Sequence, residues 1–99
     1  MARYDIVFAE AVEAHLNALA ARDRRIVLDG IEELLSHQPL VETRHRKTMR
    51  PNPLAAWELR LGDLRVYYRV RGEERIVDIA AVGIKRRNEI WIGGERTEL

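Results

Sequence analysis

Glu58, Arg60, Arg65 and Tyr67 are the residues of this 99-residue chain whose types and spacing could do chemistry. Gly62-Asp63 separates two alternating runs and reads as a two-residue hairpin loop. The resulting register sets Arg60 opposite Arg65, Glu58 opposite Tyr67, Leu59 opposite Val66 and Trp57 opposite Tyr68. Strand side chains alternate, so Trp57, Leu59, Leu61, Leu64, Val66, Tyr68 and Val70 share an apolar face. Glu58, Arg60, Arg65, Tyr67, Arg69 and Arg71 share the other. Two guanidiniums directly opposite each other repel and weaken a sheet. A sequence selected for folding alone has little reason to place them there. With an aromatic hydroxyl and one carboxylate beside them, they suit a phosphate chain: arginine forks bind it, cations offset added charge, and a carboxylate takes a proton. The competing reading is that Glu58 only bridges the two arginines. Further cations flank the hairpin. Arg44, Arg46, Lys47 and Arg50 precede it, and Lys85, Arg86 and Arg87 end the following strand.

Other chemistry finds little support. Ser36 is the only serine, and no nucleophile-elbow motif surrounds it. His15, His37 and His45 have no metal-ligand spacing, there is no cysteine, and no metal site is expected. His45 reads as a solvated residue of a basic loop. Neither a dinucleotide fingerprint nor a P-loop occurs, so no cofactor is expected.

The elements that must position these residues follow from periodicity. Arg3–Phe8 alternates as a first strand. Ala9–Ala21, with Val12, Leu16 and Leu19 among six alanines, predicts an amphipathic helix. Asp23 is the expected N-cap of a second helix whose apolar stripe is Val27, Ile31, Leu34 and Leu35, stopped before Pro39. Residues 39–53 read as a long irregular connection. Strands over 56–61, 64–71 and 75–83 form a meander, and a basic tail follows from Ile84. The order β-α-α-β-β-β predicts an α+β fold, two antiparallel helices packed on one face of a mostly antiparallel, twisted sheet.

Composition sets the outer limits. The chain is long enough for one domain, 1–99, with a single core. The hydrophobic fraction is 46% and the charged fraction 33%, and no apolar run approaches the roughly 20 residues of a membrane span. The first five residues do not read as a signal peptide, and with no cysteine the expected location is the cytoplasm. Of 17 basic residues 15 are arginine, under a net charge of only +1. The charge is segregated: 4 basic and 8 acidic residues in 1–43, against 13 and 8 in 44–99. Such asymmetry points to a polyanionic partner.

Trp57-Glu58-Leu59-Arg60-Leu61-Gly62-Asp63-Leu64-Arg65-Val66-Tyr67-Tyr68 and Val82-Gly83-Ile84-Lys85-Arg86-Arg87-Asn88-Glu89-Ile90-Trp91, behind two helices and a loop, resemble the RelE/ParE toxin superfamily over essentially the whole chain. The resemblance implies the toxin of a type II toxin–antitoxin system. RelE-type members cut mRNA in the ribosomal A site without a metal: the 2′-hydroxyl attacks the adjacent phosphate and leaves a 2′,3′-cyclic phosphate. It makes Arg60, Arg65 and Lys85 catalytic, and Glu58, from its own place on the hairpin face, completes the catalytic set as the candidate base. Arg65 matches the hairpin arginine on the scissile phosphate, Arg60 a basic position on the preceding strand, and Lys85 an arginine after the Val-Gly pair. Glu58 stands where a lysine is usual and Trp91 where a tyrosine is. Arg44, Arg46, Lys47, Arg50, Tyr67, Arg87 and Trp91 are then the RNA-binding set. Expected partners are a cognate antitoxin segment that folds on binding in a toxin–antitoxin hetero-oligomer, the ribosome, and mRNA. The gyrase-inhibiting ParE branch, and a phosphate-binding module without activity, are the alternatives.

Overall fold

A computed structural model describes residues 3–99. The elements are β1 (Asp5–Phe8), α1 (Val12–Asn17), α2 (Ala21–Leu35), β2 (Arg46–Thr48), β3 (Trp57–Leu61), β4 (Leu64–Arg71), β5 (Ile76–Arg86), β6 (Glu89–Ile92) and β7 (Glu95–Thr97). The expected α+β order holds, with three strands more than the periodicity showed. The strands form one sheet in the order β2-β3-β4-β5-β6-β7, and β1 joins it on β5.

The β3–β4 register is the predicted one, Arg60 opposite Arg65 and Glu58 opposite Tyr67. β5 is the long central strand. β4 runs antiparallel along one of its edges, while the other is shared by β1, parallel over Ile76–Ile79, and β6, antiparallel over Gly83–Arg86. The register slips by one between Tyr67 and Tyr68 because Ala80 is an extra residue in β5. This bulge changes the phase of the apolar positions: Val77 and Ile79 before it, Val82 and Ile84 after it, all pack in the core under the helices. It also fixes the opposite face. Ala81 packs with Tyr67 there, and Lys85 follows on the same side by alternation.

The helices cover one face through Val12, Val27, Ile31 and Leu35, packed on Leu59, Leu64, Val66 and Tyr68. Both differ from expectation at their ends. α1 is only 6 residues, with no side-chain cap. Alanine propensity alone does not extend a helix of this length without packing partners, and among its residues only Val12 is buried. α2 starts at Ala21 behind an uncapped Ala20, and Asp23 lies in its first turn, where a negative charge favours the helix dipole. Arg24 closes the inter-helix turn by donating to the carbonyls of Leu16 (3.1 Å) and Leu19 (3.2 Å).

The connection over 39–53 is more ordered than predicted, since β2 forms inside it as an edge strand on β3. The tail is a pair of hairpins. Arg87 and Asn88 turn the first with φ of 52° and 65°, as a two-residue loop between β5 and β6 requires. Gly83 permits their close approach: a Cβ there would lie 2.6 Å from the Trp91 carbonyl oxygen. Among the described residues no helix is long and apolar enough to cross a membrane.

Candidate functional site on the open face of the sheet

The sheet face away from the helices is partly covered. Ala55, Tyr67 and Ala81 are buried there beneath Met49, Leu54, Ile90 and Ile92, a second small core. Residues 50–55 are held over it by Asn52. Its Nδ2 donates to the carbonyls of Arg50 (2.7 Å) and Ala55 (3.0 Å), and its Oδ1 accepts from the amides of Leu54 (2.8 Å) and Ala55 (3.0 Å). Between this loop and the C-terminal hairpin runs a cleft of about 970 Å³. Glu58, Arg60 and Tyr67 form its floor, Thr48–Asn52 one wall, and Asn88–Ile90 with Arg96–Leu99 the other.

Glu58 is the hub of the floor. Its Oε1 accepts from Arg60 Nε at 2.7 Å, and its Oε2 lies 4.0 Å from Arg65 Nε. The like-charge pair is therefore bridged, as the competing reading of the sequence had it. The two arginines are not equivalent. Arg60 is exposed and its side chain has Glu58 as its hydrogen-bond partner. Arg65 is 8% exposed, and its Nη1 donates to the carbonyls of Gly62 (2.6 Å) and Leu64 (2.9 Å). Arg65 is thus a fixed charge behind the floor, tied to its own hairpin turn. Lys85 continues the face one pleat beyond Gly83, the partner of Arg65 across the ladder, and its amide donates to Asp63 O at 2.7 Å. Lys47 pairs with Glu58 from β2. The chain's only two lysines thus register to the face that carries Glu58.

Tyr67 is fully buried, and its hydroxyl has no hydrogen-bond partner among the described residues. Burial and the neighbouring Glu58 carboxylate raise its pKa well above 10. It is a floor residue with its ring under the loop, and offers no surface for a base to stack on.

Several predicted RNA contacts lie elsewhere. Arg46 pairs with Leu59 on the helix side, is 6% exposed, and donates to Val41 O (2.8 Å) and Leu34 O (3.1 Å), closing the end of α2. Trp91 pairs with Ile84, a core residue, while Ile90 and Ile92 beside it pack on the open face. It therefore points away from Glu58 and Arg60. Both placements come from strand parity, which a basic run and a tail without assigned strands concealed. Arg44 and Arg87 are exposed outside the cleft, whereas Arg50 lies in its wall. Sequence reading passed over Asn52, Glu89 and Arg96. The last two pair across the β6–β7 hairpin at 3.1 Å. The cations expected to flank the hairpin are balanced in the cleft: Arg50, Arg60 and Arg96 share it with Glu58, Glu89 and Glu98. No group of three or more His, Cys, Asp or Glu among the described residues is placed to hold a metal.

Comparison with known proteins follows the same lines. The family described as ParE toxin of type II toxin–antitoxin system, parDE, matches residues 6–89. The fold is similar to that in the toxin–antitoxin complex RelBE2 from Mycobacterium tuberculosis, with 27% identity and a TM-score of 0.75 over 86% of this chain and 94% of that one. It is also similar to the archaeal RelE–RelB complex from Pyrococcus horikoshii (21%, TM-score 0.68, 88% and 99% covered) and to the isolated RelE toxin of Escherichia coli (23%, TM-score 0.67, 85% and 86% covered). No curated protein sequence matches significantly.

Proposed function

The chain belongs to the ParE toxin family of type II toxin–antitoxin systems, within the RelE/ParE superfamily, and from that premise we propose that it is an endoribonuclease cutting ribosome-bound mRNA in the open-face cleft. The observation that carries this reading is the bridged pair on the cleft floor, an exposed Arg60 on Glu58 with Arg65 fixed behind it. The arrangement suits in-line attack by a ribose hydroxyl. Arg60 exchanges the Glu58 carboxylate for the scissile phosphate. Glu58 then accepts the 2′-hydroxyl proton as the 2′-oxygen bonds to phosphorus. The bond from phosphorus to the 5′-oxygen breaks, leaving a 2′,3′-cyclic phosphate and a 5′-hydroxyl. Arg65 offsets the charge that builds on the phosphorane. Arginine does not give up a proton in proteins; of the two lysines that register to this face, Lys85 holds the position that the superfamily resemblance makes catalytic, and we assign it the protonation of the leaving oxygen.

The partners follow from the same premise. The RelBE2 and archaeal RelE neighbours were solved as toxin–antitoxin complexes, and a cognate antitoxin is the expected neutralising partner here, with the ribosome and mRNA as targets in the cytoplasm. The test is primer extension on mRNA after brief induction of the toxin. Cuts inside translated codons are expected for the wild type, reduced about 10²-fold by Arg60→Ala, the loss typical of a removed transition-state donor. The second reading, gyrase inhibition, is favoured by the match to the ParE description and by the already paired cleft cations. A gyrase-dependent DNA-damage response with intact mRNA would establish it instead.

A further inference from the structure

Tyr67 and Tyr68 are adjacent in β4 and face opposite ways, and their hydroxyls fare differently. Tyr68, in the helix-side core, donates to Pro39 O at 2.7 Å. Tyr67 is equally buried, and its hydroxyl makes no hydrogen bond of ordinary geometry among the described residues, with the Glu58 carboxylate close beside it. Packing against Ala55, Ala81, Met49 and Leu54 needs only its ring. Phenylalanine would fill that space without the loss of stability that an unpaired buried hydroxyl brings. Such groups are rare in native proteins and call for a reason.

The reason lies across the ladder. Tyr67 is the direct β3–β4 partner of Glu58, and both are on the cleft floor. Arg60 Nε donates to the carboxylate at 2.7 Å. An anion that draws Arg60 away removes that donor and leaves the phenol beside the carboxylate. We propose that Tyr67 is the positioning residue of Glu58: its hydroxyl donates to the carboxylate when an anion takes Arg60, and so holds the base in place. The raised pKa of Tyr67 keeps the phenol protonated, and therefore a donor, throughout the working pH range. The exchange also replaces a charged donor by a neutral one, which suits a carboxylate that must next accept a proton. The role in cleavage rests on the endoribonuclease reading. The exchange of partners does not.

Two measurements test this. Tyr67→Phe is expected to raise Tm by a few degrees, as removal of an orphaned polar group should. It should also lower kcat on mRNA-programmed ribosomes about tenfold or more with KM unchanged. A higher Tm with unaltered kcat would mean that the hydroxyl has no part in the reaction. The second readout needs no activity. The buried Tyr67 hydroxyl proton, assigned in NMR spectra by its absence from Tyr67→Phe, should move downfield when inorganic phosphate is added to the wild type, and stay in place in Arg60→Ala. A resonance indifferent to phosphate overturns the exchange whether or not the protein cuts mRNA. A shifted resonance in a protein that leaves translated mRNA intact would sink the ribonuclease reading alone.

Discussion

Arg44 and Arg46 stand two positions apart in one basic run, yet their environments have little in common. Arg46 gives two charge-assisted hydrogen bonds to the carbonyls of Val41 and Leu34 from a buried position. Arg44 is exposed, and its nearest polar contact is His45 Nε2 at 3.5 Å. Arg46→Ala should destabilise the fold by about 2–3 kcal/mol, because it strands two carbonyls and removes a packed aliphatic stem. Arg44→Ala should stay within about 0.5 kcal/mol, as exposed substitutions do. Urea unfolding of the two variants decides the matter, and equal midpoints would contradict this division of labour. The contrast also shows what the sequence withheld. Type and spacing identified cations, but whether a guanidinium meets solvent or a helix end depends on β2, whose Arg46-Lys47-Thr48 has no apolar alternation to announce a strand. Glu58 is the opposite case. Its position between Arg60 and Arg65 was legible because both flanking strands alternate cleanly and Gly62-Asp63 fixes their register.

Among the elements, β5 is the one on which the others depend. Its outer edge passes from β1 to β6, and neither partner covers Ala80–Val82. His15 of α1 fills the interval, its Nδ1 accepting the Val82 amide at 3.3 Å, with Gly93 of the β6–β7 turn packed against the ring. The imidazole must be neutral to accept there, and burial lowers its pKa below the ordinary 6.5. Above that pH neither the folded nor the unfolded chain protonates it and the bond is intact. As pH falls through 6.5 toward the lower folded value, the unfolded chain takes up the proton first and stability declines. His15→Asn places an amide oxygen near the Nδ1 position and does not titrate. The difference in urea midpoint between wild type and His15→Asn should therefore fall on acidification from pH 8 to 5, and a constant difference would remove His15 from the account. The bulge that opens this interval is written in the sequence as a change of phase, from Val77 and Ile79 to Val82 and Ile84. An uninterrupted two-residue period hides it. The shortness of α1 was less accessible, since alanine content favours a helix without saying how much of it will find a packing surface.

For the molecule as a whole, segregated charge is not the same as a charged surface. Residues 44–71 carry eight basic side chains against two acidic ones, yet folding turns Arg46 and Arg65 inward, ties Arg71 to Asp78 and Glu74, and spends Arg60 on Glu58. Among the described residues, the cations that line the cleft are Arg50, Arg60 and Arg96, and three carboxylates stand among them. Counterion release then limits what the protein can do with RNA in isolation. With at most three phosphates neutralised, the slope of log K against log salt for single-stranded RNA should be about −2 or shallower. Binding to a free oligonucleotide should accordingly be weak at physiological salt, and on the endoribonuclease reading proposed above the larger part of the affinity for a translated message comes from the ribosome that presents it. Fluorescence anisotropy with a labelled oligoribonucleotide in a salt series measures this directly. A slope near −5 would mean that Arg44, Lys47, Arg86 and Arg87 also reach the strand. The RNA path would then run across the hairpin ends of the sheet and not along the cleft, and Arg44→Ala, which is expected to leave the slope unchanged, would flatten it by close to one contact.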